Sequence, residues 1–241
     1  MQTKSRLAEE ARIAVMILLR GYPGLFFKEI KRRLHSEDTY FGLRRDLSVP
    51  FDSPEAKVPI DIRPLRKNDL SIIFGSSGRG LTAHELKDHM RRNLLLRANI
   101  PTCYAAVIHD DTPCYIQWLI GPEHNEQIQK HFKGGFPPLG PDEALLEGAY
   151  TPPAYRGLGI MSRAMSMIAE KAVEFGARRA ITFVCYDNIS ALKGCRSAGF
   201  VPFTIRTSRW RSFKRTLNFT PLSSVPGNNV VTLPKIFKSG P

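Results

Sequence analysis

The sequence predicts a mixed α/β fold, in which a central sheet is flanked by helices, with an added N-terminal helical extension. Residues 143–151 are mostly apolar and end at Pro152 and Pro153, as expected of a buried strand. A turn with two glycines follows, and apolar residues then recur at helical spacing up to Gly176, a residue type that often ends helices. Strand, turn and helix in this order are typical parts of an α/β sheet.

The N-terminal residues predict a helix and then a connector. Residues 1–34 carry apolar side chains at helical spacing, with a break at 21–24. The longest apolar run, Ile13–Leu19, is too short to cross a bilayer, and no signal-peptide pattern is evident. Residues 37–58 contain two prolines and several acidic residues, so we predict an irregular connector there.

The next segment predicts a strand, a loop and a helix. A strand begins near Ile60, and Thr82 with Glu85 forms a capping box at the start of a helix that runs to Leu96. The loop Gly75–Gly80 lacks a preceding strand and a following GK[ST] sequence. We therefore predict a mobile loop there, and not a phosphate-binding loop.

Four further strands are predicted, two before and two after the strand, turn and helix at residues 143–176. Cys103–Ile108 and Cys114–Ile120 form a hairpin around the turn residues between them. The link 121–142 is longer than usual, which indicates a specificity insert or a lid. Val201–Ile205 and Ser208–Leu217 predict the closing strands, and the residues after Thr220 predict a loosely docked tail.

The glycine turn, Tyr155–Met161, has the chemistry of an anion site. Gly157 and Gly159 would let the backbone approach a ligand closely, because glycine has no side chain. The first amides of the following helix lack intrahelical acceptors, and the helix dipole is positive at that end. We therefore predict that this turn binds a pyrophosphate.

The residues after Gly176 complete a motif. Arg179–Tyr186 is β-rich, and residues 187–200 predict a short helix closed by glycine. With the turn, they resemble the GCN5-related N-acetyltransferase (GNAT) family, which has an RxxGxG/A turn and an NxxA helix ending in GF. The matching residues are Arg156, Gly159, Asn188, Ala191, Gly199 and Phe200.

This resemblance is close for residues 143–203 and looser from Ile60. It implies a mixed, mostly antiparallel central sheet. It also divides the chain into an N-terminal helical extension and connector at 1–58, a GNAT acyltransferase domain at 59–218 and a C-terminal tail at 219–241. Two residues depart from the family pattern. Met161 stands where glycine or alanine is usual, and Cys195 stands where the family often has a tyrosine that protonates the departing thiolate.

The resemblance also implies an activity and a donor site. The cosubstrate would be acetyl-CoA, the acceptor a primary amine of a small molecule or peptide, and no metal would be needed. The turn amides would hold the pyrophosphate, while the end of the preceding strand would pair with the pantetheine arm like an added strand. The implied donor-site residues are Ala149, Tyr150, Thr151, Arg156, Gly157, Leu158, Gly159, Ile160, Met161 and Asn188.

Two catalytic residues follow from the same resemblance. Glu147 occupies a frequent glutamate position of the family and would remove a proton from the acceptor ammonium; alternatively, it pairs with a neighbouring cation or faces solvent. Cys195 would protonate the thiolate as a weak acid, or it is a packing residue and water supplies the proton. Neither Cys185 nor Cys195 has a local histidine signature, which disfavours a cysteine nucleophile. No carboxylate ends the strand at 179–184, which disfavours a dinucleotide site.

Charge and cysteine content indicate which kinds of partner and which cellular compartment to expect. The formal net charge is +13, so we expect an acidic ligand or partner. The basic residues between 206 and 215 interleave with Trp210 and Phe213 and could bind nucleic acid, but we favour a role in preventing edge-to-edge strand pairing. The N-terminal helix could contact a membrane, although packing on the domain is favoured. The four cysteines form no CxxC pair, and we expect a reducing cytoplasm.

Three functions are compatible with these features. The leading one is an N-acetyltransferase that uses acetyl-CoA and an unidentified amine, acting as a monomer or homodimer. The second is an N-acyltransferase that takes long chains from long-chain acyl-CoA or acyl carrier protein, which the positive charge would suit. The third is a non-catalytic module that binds acyl-CoA or nucleic acid, with nucleic acid the less favoured partner.

Overall fold

The computed structural model describes residues 23–74, 95–96, 100, 102–224 and 237. Within these ranges the chain forms one sheet. Its strands are β1 (His35–Asp46), β2 (Asp61–Pro64), β3 (Cys103–Ile108), β4 (Thr112–Ile120), β5 (Glu143–Tyr150), β6 (Arg179–Cys185), β7 (Val201–Arg211) and β8 (Lys214–Pro221). They are ordered β2-β3-β4-β5-β6-β1-β7-β8. All neighbouring pairs are antiparallel except β5 and β6, which are parallel, so the predicted mixed, mostly antiparallel sheet is confirmed.

Helices cover both faces of the sheet. They are α1 (Pro23–Leu34), α2 (Asp69–Phe74), α3 (Asn125–Phe132), α4 (Ile160–Lys171) and α5 (Ile189–Ser197). Buried side chains of α4 and α5 join one core cluster, and buried side chains of α2 and α3 join a second. Since the strands contribute residues to both clusters, the sheet lies between two apolar layers.

The helix after the glycine turn forms where its apolar spacing predicts it. Ala164, Met165 and Ile168 are buried against the sheet. After α4 a short 3-10 segment continues to Phe175, and Gly176 then adopts a left-handed φ of 87°. Glycine reaches this conformation at low cost, which explains why the helical segment ends there.

The prediction of an irregular connector was wrong for Glu37–Asp46. These residues belong to β1, which pairs with both β6 and β7 inside the sheet. Few of its side chains are apolar, and one that is buried is Arg45, which donates to Ser166 Oγ at 2.6 Å and pairs with Glu170. Phe41 and Leu43 are buried in the core, but the next alternate position is the charged Arg45, so the sequence shows only a short apolar alternation. The sheet thus extends to the N-terminal side of the boundary predicted at residue 59.

The predicted break between the last strands was also wrong. Residues 206 and 207 continue β7, and the turn lies at Ser212 and Phe213, whose φ angles are 47° and 64°. This turn contains no glycine, proline or asparagine, the residue types that usually mark such turns. The link 121–142 contains α3, and Ile128 on that helix is fully buried.

Several predicted segments lie outside the described residues. They are the first 22 residues of the N-terminal helix, the loop Gly75–Gly80, nearly all of the helix Thr82–Leu96, and the tail beyond residue 224 apart from Phe237. In the described ranges, no helix combines the length and the apolar character needed to span a bilayer.

Candidate active site

The candidate site begins where the only parallel strand pair of the described sheet separates. β5 and β6 pair from Glu143↔Arg179 to Leu145↔Ile181, and both strands then continue, to Tyr150 and Cys185. Beyond this ladder, β5 remains paired with β4 as far as Tyr150. The carboxyl ends of β5 and β6 therefore diverge, and the last residues of β5 lead directly into the glycine turn.

A bulge shapes the end of β5. Gly148 has a φ of 71°, and a Cβ placed on it would lie 2.7 Å from both Leu95 Cδ1 and Trp118 Cε3. Only glycine fits both this backbone conformation and this space. The bulge sets the orientation of the next three residues, Ala149, Tyr150 and Thr151, which the sequence assigned to the pantetheine arm. Tyr150 is buried and its ring stacks on Phe74 at 5.6 Å.

Glu147 lies directly opposite Trp118 in the β4–β5 ladder, so the two side chains share one face of the sheet. Trp118 belongs to the core cluster that includes α2 and α3. The Glu147 side chain is buried, with 6% of the residue exposed. The Trp118 indole Nε1 is also buried and finds no acceptor in the described part of the chain. A buried carboxyl and a buried donor thus lie beside each other near the end of β5.

The glycine turn is held by its own backbone and by Arg156. Gly157 and Gly159 adopt φ angles of 77° and 76°. The Arg156 Nε donates to Thr151 O at 3.1 Å, which ties the start of the turn to the end of β5. Gly159 is the residue immediately before α4, and Arg163 N donates back to Gly159 O at 3.2 Å. The turn therefore presents the start of α4 beside the diverging strands.

The amides of this turn are available to a ligand. Within the described ranges, the backbone N–H groups of Gly157, Leu158, Gly159, Ile160 and Met161 donate to no backbone or side-chain acceptor. Gly157 and Gly159 are exposed, and a Cβ on Gly157 would meet nothing within 4 Å. Successive donors at the positive end of a helix form an anion site. The pyrophosphate site predicted from the sequence falls on these amides and stays a prediction.

A segment that sequence reasoning did not connect with the site crosses this turn. Lys57 N donates to Leu158 O at 2.8 Å, and Ala56 Cα lies 3.5 Å from the Cβ position of Gly159. The Glu55 carboxylate pairs with Arg163, in the first turns of α4, at 3.0 Å. No local signal could have revealed these contacts, because the two segments are about a hundred residues apart in the chain.

Asn188 begins α5 as its cap. Its Oδ1 accepts hydrogen bonds from Ala191 N at 3.2 Å and from Ser190 Oγ at 3.1 Å. This is the usual reason for asparagine at a helix start. The residue is exposed and follows the end of β6 closely, so the structure brings it to the same end of the sheet as the glycine turn.

Cys195 lies in the core. It is 1% exposed and its Sγ lies 3.8 Å from Met165 Sδ, so it joins α5 to α4 on the face opposite Glu147. The two predicted catalytic residues are therefore on different faces of the sheet. Burial raises the pKa of the Cys195 thiol to about 12. This position favours the packing role among the two that the sequence left open.

The other thiols are equally unsuited to act as nucleophiles. All four cysteines are free, and burial raises the pKa of Cys103, Cys114 and Cys185 as well. A thiol with a raised pKa carries little thiolate at neutral pH. Within the described residues, no group of three or more His, Cys, Asp or Glu side chains is arranged to hold a metal ion.

Residues 88–200 match the family model described as the acetyltransferase (GNAT) family. No curated protein sequence matches the chain. Among solved structures, the GCN5-related glucosamine N-acetyltransferase region of a fungal multi-domain GH3 β-N-acetylglucosaminidase is similar at a TM-score of 0.50 and 12% identity. That match covers 82% of this chain and 22% of the fungal one.

Two bacterial structures are similar at lower TM-scores. A GNAT-family acetyltransferase from Colwellia psychrerythraea has a TM-score of 0.45 and 14% identity, and the match covers 83% of this chain and 60% of that one. A GNAT-family protein from Novosphingobium aromaticivorans has a TM-score of 0.44 and 17% identity, with 77% and 66% covered. The chain thus spans less than two thirds of the Colwellia protein. The match of residues 88–200 to the acetyltransferase (GNAT) family model agrees with the mixed sheet and the glycine turn.

Proposed function

We propose that this chain is an N-acetyltransferase that moves the acetyl group of acetyl-CoA to a primary amine of a small molecule or peptide. The observation that carries the proposal is the row of amides at residues 157–161, which point to no acceptor in the described structure and stand at the start of α4. A diphosphate is the group that this arrangement fits, because it offers several anionic oxygens to successive donors.

The donor would extend from the turn into the space between β5 and β6. The β5–β6 ladder ends at Leu145↔Ile181, so the backbone of Ala149–Thr151 lies on the side of β5 where the two strands diverge. An extended pantetheine arm there would run beside β5, and the exposed Asn188 at the start of α5 would face it. Acetyl-CoA supplies the acetyl group as a thioester, and the chain's own residues bind and orient it.

Glu147 is the proposed base. A primary amine is protonated at neutral pH and cannot attack a carbonyl until it loses a proton. Glu147 is buried near the end of β5, next to Trp118, on the face that carries α2 and α3. A carboxylate in this place would accept the ammonium proton directly or through a water molecule. The buried Trp118 Nε1 would offer a hydrogen bond to a polar group of the acceptor.

Water would protonate the departing thiolate. Cys195 is 1% exposed and packs against Met165 within the core, so we assign it a packing role. An ordinary thiol has a pKa of about 8.5, so its thiolate is a stable enough leaving group for a dedicated acid not to be essential to the reaction. The acetyl carbon exchanges its bond to sulfur for a bond to nitrogen. Of the two protons that the ammonium nitrogen loses, one would leave through Glu147 and the other would reach the thiolate through water.

The first test measures donor binding by thermal shift. The wild type, with acetyl-CoA at about a hundredfold its Kd, should gain roughly 2.7 kcal/mol, which raises Tm by several degrees. Gly157→Asp places a carboxylate in the turn and should abolish most of this shift. Gly157→Asn is the matched control, since both residues tolerate a left-handed φ and a Cβ at this position meets nothing.

Chain length and turnover separate the alternatives. A larger shift with long-chain acyl-CoA than with acetyl-CoA would favour transfer of long acyl chains. Release of free coenzyme A only when a primary amine is present would establish transfer. A donor-dependent shift without release, over a broad amine panel, would favour the non-catalytic binding module. If no donor shifts the wild type, or if the aspartate and asparagine variants behave alike, the turn is not the donor site.

A further inference from the structure

A second surface lies at the same end of the sheet, built by α1 and the turn between β7 and β8. Ser212 N donates to Leu34 O at 3.0 Å, and Phe213 N donates to Arg33 O at 2.9 Å. These bonds satisfy two of the last carbonyl groups of α1, which receive no hydrogen bond within the helix. The hairpin tip and the end of α1 are therefore fixed to each other and present their side chains together.

Four exposed cations on this surface have no carboxylate within ion-pair distance among the described residues. They contrast with Arg32, Arg33 and Arg209, which pair with Glu29, Asp38 or Glu37. The four are Lys28 and Lys31 on α1, and Arg211 and Lys214 on the hairpin. Together with the exposed apolar residues Leu34 and Phe213, they define what we call the basic platform.

The apolar members of the platform are exposed. Phe213 is 55% exposed and Leu34 is 47% exposed, although each lies next to basic residues. Phe213 sits at the tip of a two-residue turn, where a side chain extends away from the protein. Large apolar side chains surrounded by Lys and Arg are typical of surfaces that insert into the headgroup region of a bilayer. Scattered lysines alone would not have this character.

A nucleic acid fits the platform less well. Its recognition by such a surface relies on aromatic rings that stack on bases. The one tryptophan in this region, Trp210, already has the guanidinium groups of Arg32 and Arg33 over its ring, at 5.4 and 5.5 Å from the centroid. Phe213 on the hairpin tip and Phe27 on α1 are exposed, but two rings on separate elements offer no succession of stacking sites.

We propose that the basic platform binds the surface of an anionic lipid bilayer, with Phe213 and Leu34 entering the headgroup region. The lysines and arginines would contribute attraction to anionic headgroups, and the two apolar side chains would add burial. The formal net charge of +13 adds a long-range attraction to an anionic surface. The binding does not depend on the proposed transfer reaction.

The platform's position gives this binding a consequence for the candidate site. β1 pairs Tyr40 with Cys185, at the carboxyl end of β6, and then extends past that point to His35 beside Arg211. The platform therefore lies beyond the edge of the sheet where β5 and β6 diverge. A bilayer bound there would bring the candidate site close to lipid-borne amines or acyl groups.

The experiment is co-sedimentation of the full chain with vesicles. One set contains phosphatidylcholine alone, and the other contains phosphatidylcholine mixed with phosphatidylglycerol. We expect binding to the anionic vesicles only, weakening as salt is raised. The double variant Lys31→Glu with Lys214→Glu should reduce the partition coefficient at least about twentyfold, since each cation near such a surface contributes about fivefold. Phe213→Ser should reduce it further in the same background.

Two controls keep the test specific. Lys67→Glu changes one exposed charge near β2, at the opposite edge of the sheet, and Val173→Ser removes a 53% exposed apolar side chain away from the platform. Both should bind vesicles as the wild type does, and all variants should keep their circular dichroism and Tm. Equal loss in the Lys67 variant, equal binding to neutral vesicles, or no binding to either would overturn the proposal. So would binding of a labelled oligonucleotide that depends on Lys31 and Lys214 while anionic vesicles are ignored.

Discussion

The end of β5 and the turn that follows it contain the same backbone conformation for opposite reasons. Gly148 and Gly157 have φ angles of 71° and 77°. A Cβ on Gly148 would lie 2.7 Å from two side chains, whereas a Cβ on Gly157 would meet nothing within 4 Å. The first glycine is required by packing within the protein. The second lies on an open surface, beside amides that donate to no acceptor in the described part of the chain.

The difference teaches how to separate structure from function along this strand and turn. Where protein atoms fill the space around a residue, its substitution should change the free energy of unfolding. Where the space is open, substitution should leave the fold and change ligand binding. The following predictions test this division, beginning with the largest expected effect.

Gly148→Ala should be the most damaging change. The methyl group would contact Leu95 and Trp118 at 2.7 Å, which costs about 1–3 kcal/mol as overpacking, and the left-handed φ adds about 1–3 kcal/mol. Urea unfolding measures the loss. Gly157→Ala carries the backbone cost alone and is the control. The comparison fails if both variants lose the same stability.

Glu147→Gln should lower kcat by about 10²–10⁴ while Tm changes little, because the amide keeps the shape of the side chain but cannot accept a proton. Glu174→Gln, at an exposed position after α4, is the matched control. Full activity in the Glu147 variant would mean that this buried carboxyl has a structural role only.

Cys195→Ala should cost about 1–2 kcal/mol of stability and leave the pH profile of kcat unchanged, because the thiol is buried and packs against Met165. Burial raises the thiol pKa from 9.0 to about 12, so the unfolded chain ionises first as pH rises. The wild type should therefore lose this stabilisation between pH 9 and 12, and the alanine variant should lose less. A missing limb in the activity profile would instead restore the acid role.

Glu55→Gln should have the smallest effect. It removes a negative charge that lies beside the glycine turn and pairs with Arg163 at 3.0 Å. Exposed pairs contribute little, so we expect acetyl-CoA to bind at most about fivefold more tightly, measured by calorimetry at low salt. High salt should abolish the difference. Weaker binding in this variant would show that Glu55 supports the turn and does not oppose the ligand.

Sequence reasoning succeeded where the signal is local. The strand at 143–150, the glycine turn and the helix that ends before Gly176 each depend on neighbouring residues, and so does the cap at Asn188. The strand β1 was not predicted, because the partners of its polar side chains come from distant segments. Arg45 donates to Ser166, and Glu37 pairs with Arg209. The contact of Lys57 with Leu158 escaped for the same reason. The roles assigned to Glu147 and the donor-site residues stay predictions.

The central place of β1 has a consequence for how the chain acquires its fold. This strand ends at Asp46, whereas both of its neighbours, β6 and β7, lie beyond residue 178. During synthesis its edges stay unpaired until these strands have left the ribosome, and long loops must close before it is paired. Folding of this protein should therefore be slow and sensitive to truncation at the C-terminal side. Before it is paired, His35–Asp46 should be the segment that most needs chaperones against aggregation.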